Sequence, residues 1–219
     1  MVRVKICGIT DLHDALAAVD AGCDALGFVF YKKSPRYIEP RAAANIISHL
    51  PKGIVKVGVF VNAKEEQIKK IAKLCRLNML QFHGSESPAF CAKFKDYKVI
   101  KAFRVRKKLD PQEIRRYKVF AYMFDTFAES KAGGTGKSFN WKFIPNLNDL
   151  KRPVFLSGGL CENNVLAALH CVRPHWVDVS TGVELYPGKK HHRKLRKFIH
   201  AAKFKKGVPR EKCLRKPKI

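Results

Sequence analysis

The residues in this chain best suited to moving protons are a cysteine that precedes a glycine, in Lys5-Ile6-Cys7-Gly8, and an acid between apolar neighbours, in Phe124-Asp125-Thr126. A thiolate is a base or nucleophile, and a carboxyl group in an apolar setting is a general acid. Each also has a structural reading. Free cysteine is among the most buried residue types, and a lone acid at a strand end also serves as a helix cap or ion-pair partner. If the thiol ends a strand and faces a pocket just before a helix start, the positive end of that helix favours the thiolate and lowers its pKa.

Other segments offer groups that hold anions. Pro35 stiffens the stretch Tyr31-Lys32-Lys33-Ser34-Pro35-Arg36-Tyr37, and the Arg36 guanidinium suits a planar carboxylate, unless it is an exposed surface arginine. The turns Ser157-Gly158-Gly159-Leu160 and Ser180-Thr181-Gly182-Val183 let backbone N–H groups approach a phosphate, although a tight turn alone also explains one Gly-Gly. The run Gly133-Gly134-Thr135-Gly136-Lys137 lacks the spacing of a nucleotide-gripping loop. A lid that closes over substrate accounts better for its glycines.

The elements that must position these groups follow from periodicity. Short β-branched or aromatic runs alternate with amphipathic helical stretches every ~20–30 residues. The strand candidates are Val2–Ile9, Ala25–Phe30, Val55–Asn62, Met79–Gly84, Val99–Val105, Ala121–Phe127, Pro153–Leu160 and Trp176–Val183. Helices are expected near Leu12–Ala21, Arg41–Leu50, Lys64–Cys75, Pro88–Phe94, Pro111–Tyr117, Trp141–Leu150, Glu162–Cys171 and His191–Lys205, with Thr10 as the first N-cap. Such alternation predicts an α/β fold: a single-domain (βα)8 TIM barrel over residues 1–206, followed by a basic, disordered tail at 207–219. A doubly wound open sheet is the alternative. In the first strand Val2, Val4 and Ile6 share one face and Arg3, Lys5 and Cys7 the other. In a barrel the site lies at the strand C-termini, where Cys7, His83, Asp125 and the two glycine turns all fall.

Composition narrows the classes. The sequence has no apolar run of about 18 residues and enters a strand directly, so a soluble chain without a leader is expected. Its seven cysteines are scattered without a C-x-x-C pair, which predicts reduced thiols in a cytoplasm and no zinc site. The pair His191-His192, beside Lys189, Lys190 and Arg193, reads as a solvated helix face rather than a metal site. Lys and Arg number 44 against 18 acids, a net charge of +26, and half of the excess falls in residues 189–219. That balance attracts anionic substrates and binds nucleic acid non-specifically, but no nucleic-acid motif accompanies it.

Taken together, the stretches Val4–Thr10, Ala25–Phe30, Ser34–Ile38, Gly58–Asn62, Leu80–Gly84, Gly133–Lys137 with Phe139 and Trp141, Ser157–Leu160 and Asp178–Glu184 resemble the phosphoribosylanthranilate isomerase family of tryptophan biosynthesis. The resemblance implies an Amadori rearrangement without cofactor or metal, with Asp125 as general acid and Cys7 as general base. It further implies that Arg36 holds the anthranilate moiety, that His83 and Asp178 bind substrate, and that Gly158, Gly159, Ser180, Thr181 and Gly182 line a phosphate site. Gly133, Gly134, Thr135 and Gly136 would form the lid, and the protein would be a monomer or homodimer. Thr181 stands where the family more commonly has serine, and the last helix is unusually basic. A related sugar-phosphate isomerase of histidine biosynthesis is the enzyme alternative, and it would be expected to carry an aspartate at position 7. A nucleic-acid-binding protein on a barrel scaffold is the non-enzyme alternative.

Overall fold

A computed structural model describes residues 1–126 and 141–204. Eight parallel strands close into a barrel: β1 (Arg3–Cys7), β2 (Ala25–Val29), β3 (Val55–Phe60), β4 (Met79–Phe82), β5 (Lys98–Val105), β6 (Ala121–Thr126), β7 (Val154–Leu156) and β8 (Trp176–Val179). Each strand pairs with its neighbour in sequence, and β8 returns to β1. The open-sheet alternative is therefore set aside. The surrounding helices are α1 (Leu12–Asp20), α2 (Pro40–Ser48), α3 (Glu65–Leu74), α4 (Pro88–Ala92), α5 (Pro111–Arg115), α6 (Leu147–Leu150), α7 (Val165–Val172) and α8 (His192–Phe204).

Alternation along β1 sorts its side chains as expected. Val4 and Ile6 join the apolar layer between strands and helices, with Ala15 and Ala18 of α1 and Leu195 and Phe198 of α8. The opposite face points into the barrel. There, Ala25, Val57, Met79, Ala121, Met123, Phe155 and Trp176 form a separate apolar plug, in which the Phe155 and Trp176 rings stack at 4.8 Å. Trp176 opens β8 and Asp178 follows on the same face, so a polar layer of Lys5, Gln81, Ser157 and Asp178 is buried above the plug.

Several local expectations need correction. β1 stops at Cys7, because Gly8 turns at φ 78°, and β8 stops at Val179, where a 3₁₀ turn at Thr181–Val183 begins. The N-cap of α1 is Asp11, whose carboxylate accepts from the Asp14 amide. The Thr10 hydroxyl donates to the Gly188 carbonyl at 2.6 Å instead. The helix expected over Trp141–Leu150 breaks into a 3₁₀ turn at Trp141–Phe143 and the short α6, since Pro145 lacks the N–H that would continue it. A hairpin of β9 (Glu184–Tyr186) and β10 (Lys189–Lys190) was not anticipated. His192 is no freely solvated residue, for its Nε2 lies 2.8 Å from the buried Asp14 carboxylate. The lid residues Gly133, Gly134, Thr135 and Gly136 and the tail 207–219 lie outside the described residues. Among the described residues, no helix is long and apolar enough to cross a membrane.

Candidate active site

Cys7 ends β1, and its register partner on β2 is Gly27. The pairing matters because Gly27 has no side chain: a Cβ there would stand 2.9 Å from both the Cys7 Sγ and the Lys5 Nζ. Val29, Val59 and Tyr31 complete the apolar rim around the thiol. Beneath it, Lys5 pairs in register with Asp178 of β8, and Lys5 Nζ lies 2.6 Å from Asp178 Oδ1. The Ser157 hydroxyl donates to Asp178 Oδ2 at 3.0 Å. Both carboxylate oxygens are thus engaged in the floor of the site.

The helix-terminus argument for a lowered thiol pKa gives the wrong direction. Burial pushes the Cys7 thiol above its ordinary value, and the Asp178 charge adds to that, while Lys5 and Lys190 pull it down. The N-terminus of α1 is capped by the Asp11 carboxylate, which accepts from the Asp14 amide. Burial would also strip Lys5 of its charge, yet the attraction of Asp178, and then of Cys7, raises its pKa.

Asp125 stands near the end of β6, and its Oδ2 lies 3.0 Å from Nε2 of His83, just beyond β4. The other imidazole nitrogen, Nδ1, is 2.8 Å from Gln81 Nε2. Gln81 and His83 share a face of the chain, and that spacing of two was the signal in the sequence for a chain of contacts. Gln81 Oε1 is buried without a hydrogen-bond partner among the described residues. Among the described residues, Asp125 Oδ2 is the carboxylate oxygen with a hydrogen-bond partner.

Arg36 is already held by protein. Its Nε donates to Glu184 at 2.9 Å, and Nη2 donates to Glu184 at 2.6 Å and to the Thr181 hydroxyl at 3.0 Å. Only Nη1 remains uncommitted among the described residues. The fork presumed to await a carboxylate is therefore closed on one side by Glu184, a residue the sequence reading left without a role. Glu184 also accepts from Lys190 Nζ at 2.8 Å, and the same ammonium donates to the Cys7 carbonyl oxygen at 2.5 Å. Burial works to raise the Glu184 pKa, but Arg36 and Lys190 together hold it below its ordinary value. Burial in turn depresses the Lys190 pKa against the pull of Glu184.

The two glycine turns lie side by side at the ends of β7 and β8. Gly158 and Gly159 take φ values of 87° and 64°, which a side-chain-bearing residue rarely adopts. Asn164 fixes that turn by donating to the Gly159 carbonyl and accepting from the Cys161 amide, both at 2.8 Å. Among the described residues, no backbone hydrogen bond outside the helices and strands uses the N–H of Gly159, Thr181 or Gly182, and backbone donors of this kind at a turn are able to hold an anion. Ser180 Oγ, at 3.4 Å from Glu184, completes the edge.

Among the described residues, one group elsewhere has metal-ligand chemistry: His13, Asp14 and His192 bring ligand atoms within 4.8 Å of one another. Asp14 is already saturated there by the Lys190 amide at 2.7 Å, Lys189 Nζ at 3.1 Å and His192 at 2.8 Å. The cluster fastens α1 to β10 and α8.

The family model described as N-(5'phosphoribosyl)anthranilate (PRA) isomerase matches residues 4–201. A relative from Trichlorobacter lovleyi, named N-(5'-phosphoribosyl)anthranilate isomerase, is 48% identical over 203 residues, which cover 93% of this chain and 98% of that one. The crystal structure of phosphoribosyl anthranilate isomerase from Thermotoga maritima is 47% identical, with a TM-score of 0.87 over 93% of this chain and 99% of that one. A second structure, 45% identical with a TM-score of 0.84 at the same coverage, is of the enzyme in complex with reduced 1-(o-carboxyphenylamino)-1-deoxyribulose 5-phosphate. A third describes monomers generated from the dimeric Thermotoga maritima protein, again 45% identical, with a TM-score of 0.83 over 93% and 99% of the two chains.

Proposed function

The chain belongs to the N-(5'-phosphoribosyl)anthranilate isomerase family and is an isomerase of tryptophan biosynthesis; from that premise, we propose that Asp125 is its general acid and Cys7 its general base. The observation that carries these roles is the pairing of each with a support at a strand end. Cys7 stands over Lys5, and Asp125 leans on His83.

Asp125 gives a proton to the ribose ring oxygen, the bond from that oxygen to C1′ breaks, and the anthranilate nitrogen lone pair forms a cationic C1′=N Schiff base. That cation acidifies C2′. The Cys7 thiolate removes the C2′ proton, the C–H electrons become a C1′=C2′ bond, and the nitrogen is neutralised. Tautomerisation then moves a proton from the 2′-hydroxyl to C1′, leaving a ketone at C2′. A carboxylate that takes the hydroxyl proton and a thiol that supplies C1′ would return both groups to their starting states. No electrons leave the substrate, so the residues need no redox partner. The raised basicity of Cys7 suits this step, because a stronger base takes a carbon-bound proton more readily once it is ionised.

Arg36 would meet the anthranilate carboxylate through Nη1, with Glu184 fixing its orientation. Gly158, Gly159, Ser180, Thr181 and Gly182 would hold the phosphate, and Gly133, Gly134, Thr135 and Gly136 would close over the substrate. His83 positions the acid. The role first assigned to Asp178, direct substrate binding, is better given to holding Lys5, because both its oxygens are occupied. Residues 1–206 form the catalytic unit in this reading, acting in the cytoplasm as a monomer or homodimer, with nucleic acid held only non-specifically by the basic surface. The test is conversion of phosphoribosylanthranilate, followed by its fluorescence loss. Turnover that survives both Cys7→Ala and Asp125→Asn would refute the assigned roles.

A further inference from the structure

Lys5 is a fully buried lysine in the barrel interior, with its side chain 0% exposed and Asp178 as its ion-pair partner. Buried ion pairs cost desolvation on both sides and are often replaceable by apolar residues without loss of stability. A barrel whose plug is otherwise built from Phe155, Trp176, Met79 and Met123 could fill this level with apolar side chains as well. The pair therefore calls for a reason beyond packing, and the position of the ammonium supplies one. Gly27 leaves open the one place where Lys5 Nζ and Cys7 Sγ converge.

Taking Cys7 as the base, we propose that Lys5 is the positioning residue that makes the thiolate available, with Asp178 and Ser157 holding its ammonium beneath the sulfur. The arrangement has a built-in order. Asp178 keeps Lys5 protonated in a dry interior, Ser157 ties the far carboxylate oxygen, and the ammonium retains further N–H donors for the sulfur. Three charges bear on the thiol from the elements around it: Lys5 of β1, Asp178 of β8 and Lys190 of β10. Lys190 meets the Cys7 carbonyl rather than its sulfur and is paired with Glu184. The facing strand β2 contributes Gly27, which carries no charge. Lys5 is thus the cation placed to accompany a negative sulfur. When the thiolate accepts the C2′ proton, the Lys5–Asp178 pair remains neutral as a whole, so no isolated charge is left in the floor.

The experiment measures alkylation of Cys7 by iodoacetamide against pH in the full chain. Site-resolved mass spectrometry separates Cys7 from the more accessible Cys161 and Cys171. The variants are Lys5→Met and, because a buried Asp178 carboxylate without its partner destabilises the fold, Lys5→Met combined with Asp178→Asn, read against Asp178→Asn alone. Loss of an adjacent opposite charge moves a titration by about one to three pH units. The midpoint of Cys7 alkylation is expected to rise by that amount in Lys5→Met against the parent and in the double variant against Asp178→Asn alone, because removing the Asp178 charge by itself lowers it; kcat at neutral pH should fall while KM changes little. An unmoved alkylation midpoint, whatever happens to activity, overturns the proposal and leaves the pair a packing element. If the midpoint shifts but Cys7→Ala still turns over, the base assignment fails while the control of the thiol by Lys5 stands.

Discussion

Nε2 of His83 lies 3.0 Å from Oδ2 of Asp125, while Nδ1 of the same ring lies 2.8 Å from the Gln81 amide nitrogen. With Gln81 donating to Nδ1, the neutral ring carries its proton on Nε2 and donates it to Asp125. Gln81 is buried and His83 is not, so the tautomer and ring angle are set from inside the barrel. Asp125→Asn should lower kcat by about 10² to 10⁴, the usual weight of a general acid. Gln81→Leu keeps the packing but frees the ring, and misplacement of this kind costs up to about 10²-fold in kcat with little change in KM. Should Gln81→Leu raise KM and spare kcat, the ring would be reading substrate rather than positioning the acid.

Cys7→Ala removes the base and little volume. We expect kcat to fall by at least about 10², with the thermal unfolding midpoint within a few degrees of the parent. A kcat within about threefold of the parent would exclude Cys7 as base, since that is far below the expected loss. Because burial raises the thiol pKa, the thiolate fraction grows as pH rises, so the rate of Cys7 alkylation by iodoacetamide should climb through and beyond about pH 8.5, the ordinary thiol value. An alkylation rate already level from neutral pH upward would contradict that order.

Gly27→Ala tests whether the empty volume beside the thiol is functional. The new Cβ would stand 2.9 Å from both Sγ and Nζ, so one or both must move. Overpacking of this kind destabilises by about 1–3 kcal/mol. The loss in kcat should be larger than that cost to the fold suggests, because the two displaced atoms are those that carry the base. Gly53→Ala is the control, since nothing lies within 4 Å of a Cβ there; it should leave kcat unchanged. Equal kcat in the two variants would detach Gly27 from the chemistry.

The barrel was legible because its units recur and because Val4 and Ile6 alternate with Lys5 and Cys7, a pattern that only a strand facing two environments produces. Strand ends were read too long wherever the apolar run outlasts the ladder, as at Ile9 after the Gly8 turn. Pro145 was present in the sequence and should have split the sixth helix. The hairpin of β9 and β10 carried one signal, Pro187-Gly188, but strands of three and two residues are too short for periodicity to register. The ion pairs were beyond reach. Lys5 and Asp178 are 173 positions apart and Arg36 and Glu184 are 148, and only barrel closure makes them neighbours. The direction of the Cys7 shift was missed for the same reason: burial and the Asp178 charge raise it, and both follow from closure of the barrel.

Glu184 joins Arg36 to Lys190, and its neutralisation should be felt at both. Since its folded pKa lies below the ordinary 4.5, its stabilisation is fully present above that value and is lost as pH falls through the lower folded value. Glu184→Gln should cost about 3–5 kcal/mol at neutral pH, the usual result of leaving a buried charge without its partner. The difference in unfolding free energy between parent and variant should shrink as pH drops below about 4.5. KM should rise in the variant, because Arg36 loses the carboxylate that orients it. A difference that stays constant down to acid pH would show that the Glu184 charge contributes nothing.

The net charge of +26 also has a measurable consequence. An anionic substrate is drawn to a strongly basic molecule by a field that salt screens, the Debye length falling from about 10 Å at 0.1 M to about 3 Å at 1 M. Where encounter limits the reaction, kcat/KM should therefore fall smoothly as sodium chloride is raised, while kcat, which starts from the bound complex, stays level. The same surface should hold DNA or RNA with non-specific affinity, about 10⁻⁴ to 10⁻⁶ M at physiological salt. A gel-shift titration distinguishes this attraction from a dedicated partner. Binding that disappears with salt and ignores sequence is the expected result; a salt-resistant, sequence-selective complex would mean that the charge serves nucleic-acid recognition in addition to substrate capture.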